Sequence, residues 1–185
     1  MPSANDLRKG MAIKYNGDVA VVLDMQHRTP GNLRAFVQAT LRSLKTGKSS
    51  NVRFSSTEPI EPISMMTREL DYSYKDQTGY HFMDPETYED TVLVEEFVGD
   101  NSKYLTENLR VTLMEVEGKP AELELPPKVK LKVLEAPPGV RGDTANNVTK
   151  PAKVEGGFEV GVPLFINPGD VIEVDTRTGK YLSRA

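Results

Sequence analysis

Short apolar runs alternating with polar residues dominate the chain, and long helical periodicity is nearly absent. Met11–Tyr15 reads as a strand. Asn16-Gly17 follows as a two-residue hairpin signal, since both turn positions favour positive φ. Val19–Met25 returns as the second strand, and Thr29-Pro30-Gly31-Asn32 forms a turn or loop tip. In Ala35–Leu44, Val37, Ala39 and Leu41 share one face while Gln38, Thr40 and Arg42 share the other, the period of a half-buried strand. Lys45-Thr46-Gly47-Lys48 turns the chain into Asn51–Phe54. This pattern predicts a small SH3-like barrel of five strands over the first sixty or so residues.

Pro59-Ile60-Glu61-Pro62 reads as a connector. Strands are predicted at Glu69–Tyr74 and Tyr80–Met83, with Asp84-Pro85-Glu86 as a helix or turn start. One short helix is predicted over Asp100–Asn108, capped by Asp100 or Ser102. Val111–Val116 and Ala121–Leu125 form a hairpin around Gly118, and Pro126-Pro127 marks a second boundary. Beyond it come strands at Val129–Leu134, Phe158–Val162, Val171–Val174 and Tyr181–Ser183, with a loop over Ala136–Lys150. Strands at roughly 8–12-residue spacing suit small barrels. The expected domains are 1–62, 63–126 and 127–185. The last two have the strand content of five-stranded OB-type barrels, and cores this small make packing between domains important.

Charge changes the picture. The 185 residues carry a formal net charge of −4. Residues 1–62 hold nine Lys/Arg against five Asp/Glu, residues 63–126 five against fifteen, and residues 127–185 nine against seven. Two basic ends around an acidic middle suit a molecule that lays its ends on phosphate; acidic surface for solubility is the plainer account. The chain has no cysteine, which excludes disulfides, thiolate metal sites and a cysteine nucleophile. Two histidines far apart in sequence, His27 and His81, suggest no catalytic metal. No phosphate loop, HExxH or GxSxG motif occurs. The pair Glu95-Glu96 reads as ordinary acidic surface. No catalytic residues, metal or cofactor are therefore expected, and no enzyme. The start lacks the apolar run of a signal peptide and Val19–Leu23 is too short to span a bilayer, so no membrane is expected and a cytoplasmic location is.

Three features suggest contacts. The loop Thr29-Pro30-Gly31-Asn32-Leu33-Arg34 places Asn32 at an outward tip, although Pro-Gly-Asn is also ordinary turn chemistry. In Arg141-Gly142-Asp143-Thr144, glycine allows close approach and the polar side chains suit ribose, base edge or phosphate; an Asx turn fits equally. Tyr181 and Arg184 pair a stacking ring with a cation on the last strand; an edge strand with an aromatic face is the alternative.

Together these features resemble the elongation factor P family. The run Arg141–Arg184 follows the family pattern K-x-A-x4-G-x2-aliphatic-x-V-P-x2-aliphatic-x2-G, with Lys150, Ala152, Gly157, Val160, Val162, Pro163, Ile166 and Gly169 in those places. LRKGMAIKYNG, LRSLKTG, YHFMDPETYE and LELPP extend the resemblance along the whole chain. The resemblance implies an all-β molecule: an SH3/KOW-like barrel and two OB-fold barrels in an elongated L that mimics transfer RNA. It implies a monomer that binds the 70S ribosome between the peptidyl and exit sites, contacts ribosomal RNA and peptidyl-tRNA, and stimulates peptide-bond formation at polyproline stalls. The tip Pro30, Gly31, Asn32, Leu33 and Arg34 would approach the peptidyl transferase centre. Gly142, Asp143 and Thr144, with Arg141, Tyr181 and Arg184, would contact RNA near the small subunit and exit site. One residue departs: the family carries a modifiable lysine, or in one branch an arginine, where this chain has Asn32. The factor then works unmodified, uses Arg34 as its cation, or is a specialised paralogue. A general single-stranded RNA-binding OB protein is the competing class.

Overall fold

A computed structural model describes residues 1–31, 33–139 and 148–185. Among the described residues, fifteen strands form three five-stranded sheets. In the first, β1 (Ala12–Tyr15), β2 (Asp18–Arg28), β3 (Phe36–Ser43), β4 (Ser49–Ser55) and β5 (Glu61–Ile63) run in the order β4-β3-β2-β1-β5. Asn16 and Gly17 take φ of 51° and 77°, the double left-handed turn that their sequence announces. Ile13, Val22, Val37, Leu41 and Phe54 fill the core, together with Leu7 from the N-terminal segment. The alternation in β3 is as read: Val37, Ala39 and Leu41 are buried while Gln38 is exposed.

The fifth strand is a correction. It occupies Glu61–Ile63, overlapping the end of the Pro59–Pro62 segment read as a connector, and pairs with β1 through Ile13↔Pro62. Three residues with a proline give no alternation to see, and an edge position tolerates the missing N–H.

The second sheet contains β6 (Met65–Lys75), β7 (Tyr80–Met83), β8 (Asp90–Leu93), β9 (Arg110–Val116) and β10 (Lys119–Glu124), ordered β10-β9-β6-β7-β8. Leu70, Phe82, Leu93, Val111 and Leu113 form its core. The helix expected over Asp100–Asn108 is instead a short α-helix, α1 (Glu95–Val98), running into a 3-10 turn at Gly99–Tyr104. Neither Asp100 nor Ser102 caps it; the turn begins after Val98 without a side-chain cap.

The third sheet holds β11 (Lys128–Glu135), β12 (Thr149–Val154), β13 (Glu159–Pro163), β14 (Val171–Asp175) and β15 (Tyr181–Arg184), ordered β13-β12-β11-β14-β15. Its core is mostly valine and isoleucine, with Tyr104 of the 3-10 turn added. Strand β12 begins inside the expected 136–150 loop. Pro151 disguised it, yet is tolerated because the ladder to β11 reaches only Lys153 and Val154.

The chain forms two compact units. One is Met1–Thr67 with Met114–Glu122; the other is Arg68–Leu113 with Leu123–Ala185. In the first, Val116 and Ala121 of the β9–β10 hairpin tip pack with Ala12 and Val21, and Arg42 Nη2 donates to the Ala121 carbonyl.

Candidate functional site

The loop 29–35 joins β2 to β3, whose last register pair is Arg28↔Phe36. A rigid antiparallel ladder thus holds its ends. Within it Leu33 N–H donates to the Pro30 carbonyl at 2.9 Å. Gly31, Leu33 and Arg34 are exposed and Pro30 is half-buried. Leu33 keeps 73% of its surface in water, which marks it as no part of the core. Asn32 lies outside the described residues, as do Arg141, Gly142, Asp143 and Thr144.

Beside the loop, the outward faces of β2, β3 and β4 carry Asp24, Gln26, Arg28, Phe36, Gln38, Thr40, Asn51 and Arg53. Arg53 lies over the Phe36 ring, its guanidinium carbon 3.7 Å from the centroid. Arg28 Nη2 donates to Gln26 Oε1 at 2.8 Å, and Thr40 Oγ1 to Asn51 Oδ1 at 2.7 Å. This face escaped the motif reading because it carries no contiguous motif. A different signal marks it: residues 25–57 contain six Lys/Arg and no Asp or Glu.

The C-terminal pair behaves differently. Tyr181 is half-buried against the third core, the aromatic-faced edge strand rather than an open platform. Arg184 Nη2 sits 3.0 Å from Asp170 Oδ1. Tyr181 and Arg184 lie on the same short strand, but each has a structural partner.

The titratable cluster of the second sheet is structural as well. His81 is buried, with Nδ1 2.7 Å from Asp90 Oδ2 and Nε2 3.0 Å from Asp76 Oδ2. Tyr74 stacks on the imidazole at 4.3 Å. The hydrogen bond to the Asp90 carboxylate leads in raising the His81 pKa. The Thr78 hydroxyl and backbone N–H hold Asp76 down to about 2. Both ring nitrogens face carboxylates, an arrangement that suits an imidazolium donor. Among the described residues no group of His, Asp or Glu could hold a metal ion, and no helix is long and apolar enough to cross a membrane.

Comparison with known proteins gives the family. Three family models match in succession: "Elongation factor P (EF-P) KOW-like domain" over residues 3–60, "Elongation factor P (EF-P) OB domain" over 65–123, and "Elongation factor P, C-terminal" over 129–184. The chain belongs to the elongation factor P family. Elongation factor P of Acidobacterium capsulatum is 46% identical over 98% of each chain. That of Alkaliphilus oremlandii is 45% identical over 100% of each. A solved structure titled eukaryotic translation initiation factor 5A, from Methanococcus jannaschii, aligns at 16% identity with a TM-score of 0.48, over 66% of this chain and 92% of that one. Family membership makes this chain a translation elongation factor, with a KOW-like first barrel and OB-type barrels after it.

Proposed function

We propose that this factor binds the ribosome between the peptidyl and exit sites and stimulates peptide-bond formation at polyproline stalls. Membership of the elongation factor P family along the whole chain carries this reading. Three modules, 1–62, 63–126 and 127–185, divide the work. The loop Pro30–Arg34 of the first module meets the acceptor end of peptidyl-tRNA. Arg141–Thr144 of the last, helped by Tyr181 and Arg184, contacts RNA near the exit site. The factor supplies position rather than chemistry: fixing the reacting ends lowers the entropic part of the barrier that a rigid proline acceptor raises. It acts as a monomer in the cytoplasm, on ribosomal RNA and peptidyl-tRNA.

The tip works without a modified lysine. Asn32 offers no amine, and a short amide hydrogen-bonds the tRNA end instead. Two measurements test this. Ribosome profiling of a deletion strain shows new pauses at proline runs; unchanged pausing there defeats the role. The intact mass of the native protein equals that of the sequence, allowing for loss of Met1; added mass on Arg34 defeats the unmodified tip.

A further inference from the structure

His81 is buried and has no part in the function proposed above. Its ring sits where three strands and a turn meet. Across the sheet it is flanked by Tyr74 of β6 and Val92 of β8, and the Tyr74 ring lies within 10° of parallel to it. The ionisable groups that face it from these elements are Asp90 on β8, Asp76 in the turn joining β6 to β7, and Tyr74 itself. The neighbouring charges have partners of their own. Lys75 meets Glu95 at 3.0 Å, and Asp71 meets Arg110 of β9 at 2.9 Å.

The turn adds a hydroxyl with two possible acceptors. Thr78 Oγ1 stands 2.6 Å from Asp76 Oδ1 and 3.2 Å from His81 Nε2. A hydroxyl has one proton to donate, so it serves one of them at a time. While the imidazole is charged, Nε2–H donates to Asp76 Oδ2 and the hydroxyl donates to Oδ1. Once Nε2 gives its proton to solvent, its lone pair faces a carboxylate that repels it, and Nε2 becomes an acceptor in its own right. The Thr78 hydroxyl is the donor within reach. Nδ1 keeps the remaining ring proton, because its contact with Asp90, at 2.7 Å, is shorter than the 3.0 Å contact of Nε2 with Asp76.

The backbone around this choice is fixed. Asp76 N–H donates to the Gly79 carbonyl at 3.0 Å. Gly79 lies so close to β8 that a Cβ there would stand 2.4 Å from the Leu93 carbonyl oxygen. Stacking on Tyr74 holds the plane of the imidazole. Two hydrogen-bond arrangements inside one rigid frame make a two-state element.

We infer that Asp76, Thr78 and His81 form a proton-operated hydroxyl switch: loss of the Nε2 proton turns the Thr78 hydroxyl from Asp76 to His81 and releases the Asp76 carboxylate to water. Asp76 then keeps the backbone N–H groups of Thr78 and Gly79. Two carboxylates and one imidazolium sum to −1, and with the ring neutral Asp76, His81 and Asp90 sum to −2. The switch thus adds a negative charge to a barrel that is already acidic. The Asp90 bond foremost, with Asp76, raises the His81 pKa, which puts the turning point on the alkaline side of about 6.5.

Nuclear magnetic resonance of the full chain tests this, with the His81 ring nitrogens and the Asp76 carboxyl carbon followed from about pH 6 to 9, around the ordinary histidine value. His81→Gln assigns the ring signals against His27. The expected course is two protonated nitrogens at the acid end, a bare Nε2 beside a protonated Nδ1 at the alkaline end, and an Asp76 carboxyl signal that moves with the midpoint of His81. Thr78 is exposed, so Thr78→Val removes the hydroxyl without touching the core. It shrinks the Asp76 displacement about twofold, since one of two side-chain bonds is left to lose. An Asp76 displacement of equal size in Thr78→Val overturns the switch. So does a neutral ring that keeps its proton on Nε2, or a ring that stays doubly protonated until the protein unfolds.

Discussion

The first and last barrels carry the same number of Lys/Arg, nine, in nearly equal lengths of chain, yet they hold part of that charge differently. In the last barrel several cations are spent locally. Lys128 sits 3.0 Å from Glu173, Arg177 3.4 Å from Asp175 and Arg184 3.0 Å from Asp170. Lys150 is buried and donates to the Pro137 carbonyl at 2.8 Å. In the first barrel Lys14 faces Glu61 at 3.8 Å, but the ribbon over 25–57 supplies no carboxylate at all. Net charge therefore misjudges availability. A positive sum of paired cations offers little to phosphate, whereas a strand face that sets Asp24 opposite Thr40 but otherwise carries cations offers more of its charge.

What the last barrel has instead is packing. Tyr104, from the 3-10 turn after α1, enters its core and meets Phe158 edge-on at 5.4 Å. Gly156 comes so close to that turn that a Cβ there would lie 2.0 Å from the Lys103 carbonyl oxygen, with φ at +94°. Its neighbour Gly157 also has positive φ, +81°, but open space around it. The largest effect expected is therefore a contrast within one turn. Gly156→Ala costs about 3 kcal/mol or more, from backbone strain plus a clash with main chain. Gly157→Ala costs about 1–2 kcal/mol, the left-handed penalty alone. Urea denaturation of both variants decides it. Equal losses would mean the turn yields, and that packing at this place is not what distinguishes the last barrel.

Next in size is Arg42, a ribbon cation used for structure. Arg42→Met removes a charge-assisted donor to the Ala121 carbonyl and costs about 1.5–3 kcal/mol. Affinity for a fluorescein-labelled RNA hairpin, read by anisotropy, stays within twofold. Arg53→Gln does the reverse: stability holds within about 0.5 kcal/mol while affinity falls. If both variants lost affinity alike, the division of the ribbon into structural and available cations would fail.

The acidic middle sharpens the contrast through pH. His81 has its pKa raised between Asp90 and Asp76. The folded state then binds a proton that the unfolded chain begins to release above about 6.5. Its stabilisation is complete below that pH and is lost as pH climbs through the raised folded value. Asp76 runs the other way: its stabilisation is present above the ordinary carboxylate range and fades as pH falls toward about 2. Denaturation midpoints measured across pH should decline on both sides, and His81→Gln should flatten the alkaline decline while changing the acid one less, since Thr78 leads in holding Asp76 down. An unchanged alkaline limb would show that the imidazole is not charged in the folded protein.

Much of this architecture was legible in the residues, for identifiable reasons. Asn16-Gly17 announced the first hairpin because both positions need positive φ, and the Val37, Ala39, Leu41 alternation assigned the faces of β3 before any pairing was known. The misses share a cause. Strand β5 has three residues, one of them Pro62, and β12 contains Pro151; each is held by its neighbours rather than by its own pattern. The loop Pro30–Arg34 was visible from Pro-Gly. The Arg53–Phe36 stack was not, because Phe36 pairs with Ser55 and Gln38 with Arg53. The contact is a cross-strand diagonal, and only the register reveals it.

The smallest effect is the one that most directly divides the two barrels. Arg184 is a C-terminal cation on an edge strand, and by position alone it looks as available as Arg34. Its guanidinium already lies against Asp170, with more than half of its own side chain in water. Such a pair contributes about 0–1 kcal/mol, so Arg184→Gln changes stability by about 0.5 kcal/mol. The same replacement frees Asp170, leaving a carboxylate where an ion pair stood. If Arg184 served phosphate, its loss would lower the slope of log K against log salt. With Asp170 as its partner, the charge it offers to RNA is already cancelled, and the slope for the hairpin probe stays unchanged. A fall of about 0.7–0.9 in that slope would show that RNA draws Arg184 away from Asp170, and that the last barrel holds its cations in reserve.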